Sequence, residues 1–234
     1  MQKLRFKLCE SSVSVLCDVD GGFESAVREV SKCRAEALAY ARKNPKFLYS
    51  LDPIEVGRDA PEVVRLAASA AFKAGVGPMA ALPGAIADMA AQALLRVGAT
   101  TAVVENGGEI AVAALAEPVT VLLKIGGDSA VEQLALMLEP SIAPLGVATS
   151  SARYGHSLSF GAADAVLVVA ESAALADAAA TAICNATSRG IRAALTSAKE
   201  IDGVRGILIL HGEETALWGE LPEVRWVEDG CEEV

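Results

Sequence analysis

The chain is poor in aromatic residues, 4 % of its 234, and has only two histidines. A histidine-rich metal site is thereby excluded. No C-x-x-C pair occurs, and the five cysteines, Cys9, Cys17, Cys33, Cys184 and Cys231, are odd in number and widely spaced. That usage reads as reduced thiols in a cytoplasmic protein. Basic clusters are also missing. The nearest approach, Arg42, Lys43 and Lys46 around Asn44-Pro45, reads as a solvated helix end, and the formal net charge is -10. Nucleic-acid binding needs a basic face and is not expected. An anionic ligand would need local compensation, from a metal ion or from helix N-termini. The longest uncharged run, Ala74 to Ala87, has 14 residues and two prolines. It falls short of the roughly 20 apolar residues that span a bilayer. The start, Met1-Gln2-Lys3-Leu4-Arg5, lacks the apolar core of a signal peptide. Walker A, G-x-S-x-G, H-E-x-x-H and Cys/His metal spacings are all absent.

What is present is a large apolar fraction, 53 %, against 21 % charged residues. Much of it is alanine, which favours closely packed helices with small side chains at their contacts. The length suits one domain over 1–234 or two closely packed lobes, about 1–100 and 101–234. Residues 3–8 and 12–19 alternate and read as a β-hairpin. A long amphipathic helix is expected from about Phe23 to Arg42, stopped by Asn44-Pro45. Asp59-Ala60-Pro61-Glu62 reads as a helix start, with Asp59 as cap, for a helix to about Ala74. After Gly75-Val76-Gly77-Pro78, a second apolar helix runs to about Val97, kinked near Pro83-Gly84. Short strands are expected at 101–105, 109–115 and 118–124, and a helix at about 129–138. Apolar strands follow at 145–149 and 165–170, an alanine-rich helix at 172–187, and three β runs near 206–211, 214–218 and 224–228. Strands come as hairpins and helices in pairs, so the fold class is α+β with antiparallel or mixed sheets, not a doubly wound sheet.

Four segments carry possible chemistry. Gly75-Val76-Gly77-Pro78-Met79-Ala80 matches G-x-G-x-x-A, but a helix and not a strand precedes it and Pro78 removes a donor. It reads as a glycine-rich bend that could still approach a phosphate, not as a Rossmann site. Asn106-Gly107-Gly108-Glu109 is a hairpin tip: an ordinary turn, or one whose glycines let a ligand approach the backbone. His156 lies in a polar loop with Ser150 and Ser151. It is a structural histidine or a proton carrier near neutral pH. His211 reads as structural. In Ala176-Asp177-Ala178-Ala179-Ala180-Thr181 an aspartate sits amid alanines with a threonine four residues on, on the same helix face. Either Asp177 lies on an outward stripe, or it is buried and needs a hard cation such as Mg²⁺.

Together these motifs resemble the ApbE-type FAD:protein FMN transferases. Val104-Glu105-Asn106-Gly107-Gly108-Glu109-Ile110 is similar to that family's V-N-x-G-G-D-I hairpin, and Ala176 to Thr181 to its A-D-A-x-A-T helix. Pro83-Gly84-Ala85-Ile86-Ala87-Asp88 stands where the family has K-G-Y-A-V-D. The resemblance covers roughly residues 75–187 and is nearest to a shorter, uncharacterised branch. It implies Mg²⁺-dependent transfer of FMN from FAD to a Ser or Thr hydroxyl of a protein acceptor, with release of AMP. It also implies a metal held by Asp177, Thr181 and a backbone carbonyl near Leu82, and His156 assisting the hydroxyl. Gly77, Met79, Asn106, Gly107, Gly108, Glu109, Ser150 and Ser151 would line the nucleotide. The chain departs from the pattern at three places: Ser157-Leu158-Ser159-Phe160-Gly161 replaces D-P-x-T-G, Pro83 replaces a lysine, and Gly77 replaces an acidic residue. An enzyme that acts on FAD, by transferring FMN or by cleaving the pyrophosphate, is one reading; a non-catalytic flavin- or nucleotide-binding protein, or an interaction domain that keeps only the fold, is the alternative. A homo-oligomer is compatible with apolar sheet edges.

Overall fold

In the computed structural model, which describes residues 1–125, 132–140, 144–151 and 161–227, eleven strands form two antiparallel sheets. The first takes β1 (Gln2–Leu8), β2 (Ser11–Cys17), β3 (Ala102–Asn106), β4 (Glu109–Ala114), β7 (Leu145–Ser150), β8 (Ala165–Ala170), β9 (Val204–His211) and β10 (Glu214–Gly219), in that spatial order. The second takes β5 (Val119–Ile125), β6 (Glu132–Leu138) and β11 (Glu223–Val227), with β6 in the middle. All pairings are antiparallel. β2 pairs with β3, so the large sheet takes strands from before and after residue 100.

The large sheet is covered on both faces, which explains why its central strands are apolar throughout rather than alternating. Alternate residues sort to the two sides. Val104, Ala111, Ala148, Val166, Val168 and Ile209 pack in one cluster with the helices. Val103, Ile110, Val112, Val147, Leu167 and Leu208 pack in another with Leu134, Leu136 and Leu138 of β6. The layers are therefore helices, large sheet, small sheet.

The helical layer comprises α1 (Gly22–Lys43), α2 (Pro45–Tyr49), α3 (Glu62–Ala74), α4 (Leu82–Arg96), α5 (Ala173–Ala186) and α6 (Ile191–Glu200). A 3₁₀ turn, Pro78–Ala81, leads into α4. The segment Pro78–Arg96 is long and apolar enough to cross a membrane by length and composition, yet 61 % of its apolar window is buried. Its packing is that of a core helix. α5 is buried nearly all round, from Ala173 to Ala186, because alanines let neighbouring elements close in. Gly146 of β7 and Gly84 of α4 take this to the limit. A methyl group on Gly146 would lie 2.0 Å from the Ser172 carbonyl oxygen, and one on Gly84 would lie 2.3 Å from that of Ala173.

Several expectations are corrected. The helix expected at about 129–138 gives way over 132–138 to strand β6, whose Leu134, Leu136 and Leu138 share one face at period two. Asp59 does not cap α3, which starts at Glu62 after an extended Pro61 with no side-chain cap. The helix before Val97 does not kink at Pro83-Gly84. The break lies at Ala81, and Pro83 sits in the first turn of α4, where its missing N–H costs nothing. α2 and α6 were not anticipated. Among the described residues, Cys9, Cys17 and Cys33 are free thiols, the last two buried, and Cys184 is buried as well.

Candidate functional site

The hairpin β3–β4 and helices α4 and α5 meet at one end of the large sheet. Asn106 and Glu109 are directly paired across the hairpin, and both stand on its helix-facing side, in register with Val104 and Ala111. Gly107 and Gly108 make the turn with φ of 75° and 115°, left-handed conformations that favour glycine. The Gly107 N–H is tied to the Ser12 carbonyl at 3.1 Å, and the Gly108 N–H donates to Glu105 at 2.9 Å. The tip is thus anchored to β2 and to its own strand.

Asn106 is buried, and its Nδ2 donates to the carbonyl of Pro83 at 2.9 Å. That bond fixes the start of α4. Two residues after Leu82, the Gly84 N–H donates to Asp177 Oδ2 at 3.1 Å. At the N-terminus of a helix such an N–H has no partner within the helix, so the carboxylate takes up a group that would otherwise be orphaned. The close approach permitted by Gly84 brings α4 and α5 together for this contact. Asp88, one turn further along α4, accepts the N–H groups of Ala173 and Ala174 at 2.9 Å each and caps α5 beside Ser172. The N-termini of α4 and α5 are therefore stitched reciprocally, each by an acid on the other helix.

The electrostatics are one-sided. Asp177 is buried, which overturns the reading of an outward-facing stripe. Burial pushes its carboxyl well above the ordinary range, with Glu109 and more weakly Asp88 adding repulsion against the single N–H of Gly84. Burial also raises Glu109 to about 7, helped by Glu105. It raises Asp88 to about 6 despite the two N–H bonds. Among the described residues, no lysine or arginine pairs with any of these acids.

The other expected residues fall as follows. Thr181 is buried one turn beyond Asp177 on α5. Ser150 ends β7, is 5 % exposed, and its Oγ has no hydrogen-bond partner among the described residues. Ser151 is half-buried. Met79 stands on the 3₁₀ turn, partly exposed. Gly77 precedes that turn, and a methyl group there would lie 1.9 Å from the Ser50 carbonyl oxygen, so close backbone packing explains this glycine. His156 lies outside the described residues. His211 ends β9, and its Nδ1 is buried without a hydrogen-bond partner among the described residues. The structure thus joins Asn106, Glu109, the Leu82–Gly84 turn and Asp177. It ties Gly77 to residues 50–51 and not to those acids.

Asp88 and Glu105 were not anticipated as site residues. In the sequence Asp88 is only the last residue of Pro83-Gly84-Ala85-Ile86-Ala87-Asp88. Its link to α5 spans 85 residues and leaves no local signal.

Among the described residues, no three His, Cys, Asp or Glu side chains form a metal-binding group. A cation here would rest on one carboxylate, Asp177, with oxygens of hydroxyl and carbonyl type, Thr181 and the Leu82 region. That is a hard-oxygen set, which suits Mg²⁺ over softer metals. A buried carboxylate without a cationic neighbour fits such an ion on the chain's own chemistry.

The family model described as "AbpE bacteria" matches residues 1–203. The UPF0280 protein MJ1526 of Methanocaldococcus jannaschii is 42 % identical over 230 residues, 95 % of this chain and 92 % of that protein. A UPF0280 protein of Methanococcoides burtonii is 36 % identical over 225 residues, 95 % and 94 % of the two chains. Among solved structures, the flavinyl transferase ApbE of Pseudomonas stutzeri, apo form, superposes with a TM-score of 0.59 at 17 % identity, covering 93 % of each chain. The apbe protein of Thermotoga maritima gives 0.59 at 16 %, covering 93 % of this chain and 96 % of that one. These likenesses establish an ApbE-type fold. With a family match over residues 1–203 and relatives of 36–42 % identity along nearly their whole lengths, the chain belongs to the AbpE bacteria family.

Proposed function

We propose that the chain binds a flavin dinucleotide together with a divalent cation and transfers FMN to a protein hydroxyl. The observation that carries this reading is Asp177: a buried carboxylate, raised by burial and by Glu109, that accepts one N–H and has no cationic partner among the described residues. Uncompensated burial of that kind is unfavourable unless a ligand balances it. The solved flavin transferase structures that share the fold support the choice of ligand.

Asp177, Thr181 and a carbonyl at Leu82 would hold Mg²⁺, which supplies charge neutralisation for a pyrophosphate and for the departing AMP. The chain's own residues do the rest. Gly84 orients Asp177, and Asn106 fixes the turn that carries Gly84. Gly107 and Gly108 expose backbone on which a nucleotide can lie without side-chain obstruction. In the transfer, the acceptor hydroxyl oxygen forms a bond to the FMN phosphorus. The bond from that phosphorus to the bridging oxygen breaks, and AMP leaves with that oxygen. His156 would take the hydroxyl proton. A second reading, binding without transfer, is favoured by Ser157-Leu158-Ser159-Phe160-Gly161 standing in place of D-P-x-T-G.

The test is incubation of the purified protein with FAD and Mg²⁺, followed by chromatography of the nucleotides. Release of AMP supports an enzyme that splits FAD, and FMN left on a protein hydroxyl, as against free FMN, marks it as a transferase. Intact FAD bound to the protein selects the second reading. Absence of any bound or cleaved flavin nucleotide contradicts both.

A further inference from the structure

The oxygens that would hold the cation belong to two helices. Asp177 and Thr181 lie one turn apart on α5, and Leu82 opens α4. Along the chain the two helices are far apart: the Gly84 N–H and Asp177 are 93 residues from each other. Mg²⁺ requires its oxygens at about 2.1 Å in a nearly octahedral array and accepts little departure from it. The spacing of Asp177 and Thr181 is set by their own helix. Their spacing from Leu82 is set by whatever holds α5 to α4.

Among the described residues, three side-chain hydrogen bonds join the two helices. They come from two acids arranged alike. Asp177 stands one turn into α5 and reaches back to the Gly84 N–H at the start of α4. Asp88 stands one turn beyond Gly84 on α4 and reaches back to Ala173 and Ala174 at the start of α5. Helix side chains lean towards their own N-terminus, so each acid points at the place where the two N-termini meet. The two links differ in their duties. Asp177 is the expected cation ligand, so its carboxylate is divided between the Gly84 N–H and the metal. Asp88 spends both oxygens on backbone, Oδ1 on the Ala173 N–H and Oδ2 on the Ala174 N–H, at 2.9 Å each. Two bonds from one planar carboxylate to successive N–H groups fix direction as well as distance.

We propose that Asp88 is a positioning residue of the cation site. By clamping the first turn of α5 to α4, it holds Asp177 and Thr181 at the spacing from the Leu82 carbonyl that Mg²⁺ requires. It acts through α5, without touching the cation. This inference rests on the cation-dependent flavin reading and assigns the residue that sets its cation affinity.

The test follows FAD binding by calorimetry as Mg²⁺ is raised from an EDTA-buffered trace to saturation. Wild type, Asp88→Ala, Asp88→Asn and Asp18→Ala are compared, and the ligand-free Tm of each is read alongside. Asp18 is a matched control: its Oδ1 accepts the N–H groups of Thr100 and Thr101 at 2.9 and 3.0 Å, past the C-terminal end of α4. In Asp88→Ala the Mg²⁺ midpoint for FAD binding should rise by about 10–100-fold, the range for losing a group that orients metal ligands. FAD affinity at saturating Mg²⁺ should return to that of wild type. Asp88→Asn, which keeps one acceptor oxygen, should fall between the two. Asp18→Ala should lower the Tm and leave the Mg²⁺ midpoint unmoved. If Asp88→Ala does not fold, Asp88→Asn decides alone: a midpoint raised severalfold supports the inference, and an unmoved one overturns it. An unmoved midpoint in folded Asp88→Ala overturns the inference and leaves the functional reading standing. So does a midpoint raised equally in Asp18→Ala, because general loosening then suffices, and so does FAD affinity that stays low at saturating Mg²⁺. Wild type whose FAD binding does not respond to Mg²⁺ overturns both the inference and that reading.

Discussion

Replacing Glu109 by glutamine separates the two opposed roles of the acidic cluster. In the cation-free protein Glu109 is pushed up to about 7 from an ordinary 4.5, first by burial and then by Glu105, and it repels Asp177 in turn. A rise of that size corresponds to a free energy on the order of 3 kcal/mol. Glu109 keeps a partly open face to water, which screens it, so about 1–2 kcal/mol is the working figure. The sign follows from proton linkage. A carboxyl whose folded pKa is raised binds more protons in the folded state, so stability falls as pH rises from about 4.5 through about 7. Glu109→Gln should therefore stabilise the cation-free protein by about 1–2 kcal/mol at pH 8 and by nearly nothing at pH 4. The assay is urea unfolding at both pH values, in EDTA and again with Mg²⁺. Mg²⁺ should stabilise wild type more than the variant, because the cation loses a neighbouring negative charge. Equal effects at pH 4 and pH 8 would refute the electrostatic reasoning. So would a variant less stable than wild type at pH 8.

Four further outcomes are expected. Asp177→Ala should abolish Mg²⁺-dependent nucleotide binding while the protein stays folded, as read by calorimetry and circular dichroism; retained binding would remove Asp177 from the site. Gly84→Ala should destabilise by several kcal/mol, measured by chemical denaturation, because its methyl would lie 2.3 Å from the Ala173 carbonyl oxygen and force α4 from α5. Asp88→Ala should cost about 1–2 kcal/mol, since it orphans the N–H groups of Ala173 and Ala174 at the start of α5. Asp88 in wild type, raised to about 6, should itself make cation-free stability fall between about pH 4 and pH 6, a slope that Asp88→Asn flattens.

The sequence reveals those parts of this molecule whose signal is local. Ala165–Ala170 reads as a buried strand because six consecutive apolar residues lie between turn signals, and it is β8. The hairpin at Gly107-Gly108 is legible from its glycines. α5 is legible as a helix, and its chemistry from one aspartate among alanines. Glu132–Leu138 misled because its leucines adjoin further apolar residues, and a short run of that kind fits either period. α2 is too short to show periodicity. α6 buries only Ala194 and Ala198, with Leu195 half-buried against the core, so its inner face is weakly marked in the sequence. The acidic cluster was half visible. Asp177 and Glu109 stood out within their own motifs, but their repulsion depends on hairpin register and on the approach of α4 to α5. Asp88 belongs to the same category. Its partners are set by helix packing, which no spacing along the chain encodes.

The most direct test of the account is calorimetric titration of FAD into the purified protein, once in EDTA and once with Mg²⁺. Saturable binding with Mg²⁺, lost or strongly weakened in EDTA, is the predicted result. FAD binding of equal strength in both buffers, or no binding in either, would contradict a cation-dependent flavin site at Asp177.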